Sequence, residues 1–123
     1  MRNMKAWGTC LVLVVVGVVT MSAAPPKVTP ADRAVQVLRD RIVKDRPFSV
    51  APECLTYVTE ATTARYVTIA VRERHGGPCG GDPDTAPVID RFRVAPASGR
   101  IEFLDVLEDE WRAYAEYRKP AAR

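Results

Sequence analysis

Histidine and cysteine are scarce in this chain of 123 residues, which has one histidine, His75, and three cysteines. Nucleophilic catalysis needs an activated nucleophile beside its base, and neither Ser49 nor Ser98 lies in a motif that would place it beside His75. Glycine-rich segments occur in 76–81, but they precede a predicted strand and not a helix, so they do not form a phosphate-binding loop. We therefore expect no enzyme activity and no cofactor.

A basic excess is also lacking. The formal net charge is +3, and it falls to +1 without residues 1–24, which contain two basic residues and no acidic one. Nucleic-acid binding depends on neutralising many phosphates. The charge therefore gives no support to a nucleic-acid partner, and we expect none.

The first 24 residues have the layout of a secretory signal peptide. Two basic residues in 1–5 precede an almost wholly apolar run, 11–19, and small residues end the segment before Pro25. We expect cleavage after Ala24 and an exported protein, periplasmic or secreted. An uncleaved membrane anchor over residues 6–24 is the alternative, because that stretch just reaches across a bilayer.

Cysteine pairing follows from export. Cys10 lies within the signal segment, and the residues before it lack the pattern that precedes a lipidated cysteine. Cys54 and Cys79 then remain as an even pair in an oxidising compartment, which predicts a disulfide between them. Such a bond stabilises a domain by roughly 3 kcal/mol in the chain-entropy account.

The middle of the chain alternates apolar and polar residues with the period of β-strands. The pattern predicts strands over 65–74, 88–95 and 100–106, joined by a long loop, 75–87, and by a tight turn that ends at Gly99. A shorter strand is predicted over 54–60. The sheet is then an antiparallel meander of about four strands.

Two helices flank this sheet in the prediction. The first begins at Thr29 and Pro30, ends near Asp45, and presents an apolar stripe to one face of the sheet. The second covers 107–119, with Trp111 and Tyr114 along one side. The class is therefore α+β, with one domain over 30–119 after a signal peptide, 1–24, and an extended leader, 25–29.

The order of these elements resembles the small exported PepSY-type domains of bacteria over residues 31–105. The matching segment is Val94-Ala95-Pro96-Ala97-Ser98-Gly99-Arg100-Ile101, in which Ala95 and Ser98 replace the commoner acid and threonine of that family. Residues 79–87, CGGDPDTAP, lie outside that pattern and resemble a block in small uncharacterised secreted bacterial proteins. The resemblance implies an exported, noncatalytic domain and leaves its ligand open.

Within the long loop, four residues have side chains that can bind a metal: His75, Cys79, Asp82 and Asp84. If Cys79 forms the disulfide, its sulfur is no longer a thiolate, and a zinc site loses its anchor. We therefore predict no metal, and we interpret the two aspartates as turn residues. Because proline, glycine and a disulfide lower the ordering cost of binding, loop 75–87 predicts a binding or inhibitory module for a protein partner.

A second candidate site is an arginine-rich sheet face. The predicted hairpin places Arg72, Arg74, Arg91 and Arg93 on one side, where guanidinium groups can bind carboxylates or phosphates. That surface predicts a binder of an anionic small ligand or surface polymer. The alternative is a solvated face neutralised by Glu60 and Glu102 on flanking strands.

Overall fold

The computed structural model describes residues 12–117, and within them two helices flank one sheet. The elements are α1 (Pro30–Asp45), β1 (Leu55–Thr62), β2 (Val67–Glu73), β3 (Val88–Ala95), β4 (Arg100–Asp105), β5 (Glu110–Ala113) and α2 (Tyr114–Tyr117), with short 3-10 turns at Pro52–Cys54 and Gly77–Cys79. The strands pair antiparallel in chain order, β1-β2-β3-β4-β5. The α+β meander is confirmed, but it has five strands and not four.

Part of the predicted signal peptide, residues 1–11, lies outside the described residues, as do the last two residues of the predicted second helix. Residues 12–29 are described, and they are almost entirely exposed and belong to no helix or strand. Between residues 12 and 117, no helix has the length and apolar character needed to span a membrane.

Helix α1 begins as the sequence predicts. The Thr29 hydroxyl accepts a hydrogen bond from the Asp32 amide at 3.1 Å, and the Asp32 carboxylate accepts one from the Thr29 amide at 3.0 Å. The hydrogen bonds from Thr29 lower the pKa of Asp32. The helix ends at Asp45 because Arg46, which precedes Pro47, adopts a left-handed conformation with φ 47°.

One face of the sheet, which we call the helix face, packs against α1. The helix contributes Ala34, Leu38 and Ile42, and the sheet contributes Leu55, Val67, Ile69, Val71, Phe92, Val94 and Ile101. All of these residues are buried. The face predicted for the core is confirmed, and aromatic side chains of α2 extend it, since the rings of Tyr117 and Phe92 lie 5.4 Å apart.

The turn between β3 and β4 is also confirmed. Gly99 has φ 74°, and its amide donates to the Ala95 carbonyl at 2.8 Å. A positive φ is accessible to glycine without steric cost, so this residue closes the hairpin.

A C-terminal helix is confirmed, but the start predicted for it at residue 107 is wrong. Val106–Asp109 form a turn, residues Glu110–Ala113 pair with β4, and within the described residues the helix that follows covers Tyr114–Tyr117. Asp105 explains the difference, because its carboxylate accepts from the amides of Leu107 and Glu108 and also pairs with Arg112 at 3.0 Å. These bonds close a hairpin, and the pKa of Asp105 is lowered, chiefly by the hydrogen bond from Arg112.

Candidate functional site

Loop 75–87 connects β2 to β3 and is tied to the sheet at both ends. The predicted disulfide is confirmed, since the sulfurs of Cys54 and Cys79 are 2.09 Å apart. Next to it, the Arg74 amide donates to the Cys54 carbonyl at 2.7 Å, and the Glu73 amide donates to the Pro87 carbonyl at 2.9 Å. The loop therefore leaves and rejoins the sheet at fixed points.

The imidazole of His75 lies at the centre of this loop. Its Nε2 is 2.6 Å from the Glu73 carboxylate, and its Nδ1 is 3.2 Å from the Asp82 carbonyl and 2.8 Å from the Thr85 hydroxyl. The Thr85 hydroxyl itself donates to the Asp82 carbonyl at 3.0 Å, so it offers its lone pair to the ring. One side chain thus joins the end of β2 to the far half of the loop.

Both ring nitrogens of His75 face acceptors, which is the environment that a doubly protonated imidazolium requires. The pKa of His75 is raised, first by its hydrogen bond to Glu73 and further by the Asp82 carbonyl and the two nearby carboxylates. Partial burial opposes this shift. The surroundings of His75 therefore favour its protonated form.

The backbone of Gly81 passes directly over the His75 ring. A Cβ atom at this position would lie 2.7 Å from the ring carbon Cγ, which is closer than van der Waals contact permits, and Gly81 also has φ 71°. Only glycine meets both conditions without strain. Gly77 also has a positive φ, 54°, but a Cβ atom there would meet nothing within 4 Å.

The two loop aspartates have different roles. The Asp82 carboxylate accepts from the Asp84 amide at 2.9 Å, and the Asp82 carbonyl accepts from the Thr85 amide at 3.0 Å. These bonds form a turn of the kind that aspartate favours before proline. Within residues 12–117 the Asp84 side chain has no such partner, and it is exposed.

No three His, Cys, Asp or Glu side chains of residues 12–117 come together in a group that could hold a metal ion. In the loop, the sulfur of Cys79 belongs to the disulfide, and both nitrogens of His75 have hydrogen-bond partners. His75 and Cys79 therefore serve the loop's own structure.

Two of the four predicted surface arginines also support the loop. Arg72 donates to the Ala86 carbonyl at 3.1 Å, and Arg74 donates to the Glu53 carbonyl at 3.0 Å while lying 3.7 Å from the Cys79 sulfur. These contacts fix the guanidinium groups at the base of the loop. The guanidinium groups of Arg72 and Arg74 therefore do not form one free cationic surface with those of Arg91 and Arg93.

Arg91 and Arg93 lie on the face of the sheet opposite α1, which we call the charged face. Arg91 pairs with Glu60 at 2.8 Å. Arg93 forms two hydrogen bonds to Glu102, each 3.2 Å long, and its guanidinium lies between the rings of Tyr66 and Trp111, at 4.2 and 4.9 Å from their centroids. This face is therefore neutralised by Glu60 and Glu102, as the alternative interpretation expected.

Several contributors to these sites were missed in the sequence. Glu73 and His75 are two residues apart at the end of a strand, a spacing that places both side chains on one side, and this signal was available. Thr85 and Trp111 gave no comparable signal, because their roles depend on the path of the loop and on the β4–β5 hairpin. The burial of Glu102, which is 5 % exposed, was also unforeseen.

No family profile matches the sequence, no curated protein shows significant similarity to it, and no solved structure matches it significantly. The resemblance to PepSY-type domains and to the secreted-protein block at 79–87 therefore stays a prediction. Functional inference depends on the geometry of this chain.

Proposed function

We propose that this chain is an exported, noncatalytic module that binds a protein partner through loop 75–87. The disulfide between Cys54 and Cys79 is compatible with an oxidising compartment, and the layout of residues 1–24 supports export. The PepSY-type resemblance supports the same class.

The observation that carries this proposal is the internal scaffold of the loop. His75 and the disulfide hold the backbone from inside, while residues 80–87 remain exposed on the outer surface. A loop that is already ordered loses little conformational entropy when it binds. Loops of this length in small domains are usually either functional or disordered. The hydrogen bonds and the disulfide of loop 75–87 argue against disorder and so favour a function.

A catalytic role has little support from the same geometry. His75 is the only histidine in the sequence, and both of its ring nitrogens are used to hold the loop. A general base needs a free nitrogen within reach of a substrate proton. The arginine face gives weaker support to the second candidate, an anionic ligand, because its guanidinium groups already have partners within the chain.

The matched glycines Gly81 and Gly77 provide the test. Gly81→Ala drives a methyl group into the His75 ring and should displace the outer loop, whereas Gly77→Ala introduces the same backbone strain without a clash. Each protein is immobilised and exposed to cell-envelope extract, and retained proteins are quantified by mass spectrometry. We expect a partner that the unchanged protein and Gly77→Ala retain and that Gly81→Ala loses.

Near-ultraviolet circular dichroism of each variant shows whether the sheet remains folded. A second variant replaces residues 80–85 with a two-residue turn and keeps Cys79. If this shortened protein stays folded and retains the same partner as the unchanged chain, the loop is only a connection and the proposal is wrong.

A further inference from the structure

A groove of about 630 Å³ lies at the end of the strands opposite to loop 75–87. It is bordered by the start of α1, the β1–β2 turn and the β3–β4 turn. Its lining is mostly apolar and includes Pro30, Ala64, Tyr66, Ala95 and Pro96. Its size falls within the range of about 300–1,000 Å³ that is usual for small-molecule sites.

The three walls of the groove are held in place by their own hydrogen bonds. In the β1–β2 turn, the Thr63 hydroxyl accepts from the amides of Arg65 and Tyr66 at 3.3 and 3.0 Å. The Ala95 carbonyl accepts from Gly99 across the β3–β4 turn, and the capping box fixes the start of α1. The groove therefore exists before any ligand binds.

Two arginines at the groove differ from those of the sheet. Arg33 and Arg65 both line it, and neither guanidinium group has a hydrogen-bond or ion-pair partner within residues 12–117. Asp32 is the acidic residue next to Arg33, and its carboxylate is bound to Thr29. Two cationic groups thus stand at an apolar groove without a neutralising acid.

We propose that this groove binds a small monocarboxylate with an apolar body, whose carboxylate is held by Arg33 and Arg65. Guanidinium groups form short, charge-assisted hydrogen bonds to a carboxylate, which fixes the head of the ligand. The body lies against Tyr66, Ala95 and Pro96, which bury its apolar surface. The Tyr66 ring is itself in contact with Arg93, whose guanidinium carbon lies 4.2 Å from the ring centroid.

The probe is octanoate, and the readout is a two-dimensional amide NMR spectrum of the protein as it is isolated from its expressing host. We expect saturable shifts at the amides of residues 62–66, 95 and 97. Octanol, which has the same body and no charge, should bind at least about tenfold more weakly, because it forms no charge-assisted bond to the arginines. Acetate, which has no apolar body, should also bind weakly.

Variants separate the carboxylate contacts from general charge effects. Arg33→Ala with Arg65→Ala should weaken octanoate binding at least about tenfold and leave the weak binding of octanol unchanged. Arg100→Ala removes one exposed positive charge outside the groove lining and should leave octanoate binding as it is. All three side chains are exposed, so the same spectra report whether the fold is retained.

Three results would overturn the proposal: shifts that do not saturate, equal affinity for octanol and octanoate, or unchanged octanoate binding in the double variant. The outcome is independent of the proposed function. The groove adjoins the start of β2, and loop 75–87 follows its end, so either site can fail while the other is retained.

Discussion

Phe92 and Arg93 are consecutive residues of β3, yet the two faces of the sheet hold them by different interactions. Phe92 is fully buried on the helix face, in contact with Phe48 and Tyr117. Arg93 lies on the charged face, where Glu102 and two aromatic rings surround its guanidinium. The helix face of the sheet is covered by a second layer, the helices. The charged face is covered by the long side chains of its own strands.

Ala70 shows how well long side chains can cover the charged face. It lies on the charged face, opposite Val58 and Arg91 in the neighbouring strands, and it is nevertheless fully buried. Both helices pack on the other side of the sheet. Long side chains that keep their charged ends in water can cover apolar surface with their stems, so a sheet face rich in arginine need not be a ligand site.

The largest expected effect concerns the helix face. Phe92→Ala removes a fully buried ring and should reduce the free energy of unfolding by about 3–5 kcal/mol, because the lost transfer energy adds to the cavity that remains. Chemical denaturation measures the change. The control is Val58→Ala at a half-exposed position, for which about 0.5 kcal/mol or less is expected; equal losses in the two variants would show that the helix face is not the core.

A smaller effect is expected on the charged face. Arg93→Leu leaves Glu102, which is 5 % exposed, without its partner and should cost about 2–3 kcal/mol. Adding Glu102→Leu should recover most of this loss, since two apolar side chains can replace a partly buried ion pair. The denaturation midpoints of both variants test this, and a double variant less stable than Arg93→Leu would contradict it.

The smallest expected effect is a pH dependence of stability, which the polar loop should contribute and the apolar core should not. Folding raises the pKa of His75 above its unfolded value of about 6.5, so its stabilisation is complete below that pH and is lost as the pH rises through the folded pKa. Thermal unfolding of the protein should therefore occur at a lower temperature at about pH 8.5 than at about pH 6.

His75→Gln is the control for the pH dependence, because it should remove the slope over this interval. The cost of Phe92→Ala, by contrast, should be the same at both pH values. His75 is the only histidine, so its ring proton resonance in NMR spectra can be followed without assignment. A titration midpoint below about 6.5 would contradict the raised pKa of His75.

Much of the helix face could be predicted from the sequence, since the alternation of Val67, Ile69 and Val71 and the cap at Thr29 are local signals. The β4–β5 hairpin could not, because the run 107–119 has helical spacing and helix-favouring acids. Only the hydrogen bonds that the Asp105 carboxylate accepts from the amides of Leu107 and Glu108 favour a turn. Loop 75–87 could be located from its glycines and cysteine. Its dependence on His75 could not be predicted, because the contacts of Gly81 and Thr85 with the His75 ring exist only once the loop has folded back.

The strand order has a consequence for the time course of folding. Every strand pairs only with its neighbour in the chain, so no step requires a distant segment to arrive first, and such local topologies fold comparatively fast. Cys54 precedes β1, whose first residue pairs with Glu73 at the end of β2. The β1–β2 hairpin alone therefore brings the segments with the two thiols together, and oxidation of Cys54 and Cys79 can precede the pairing of β3, β4 and β5.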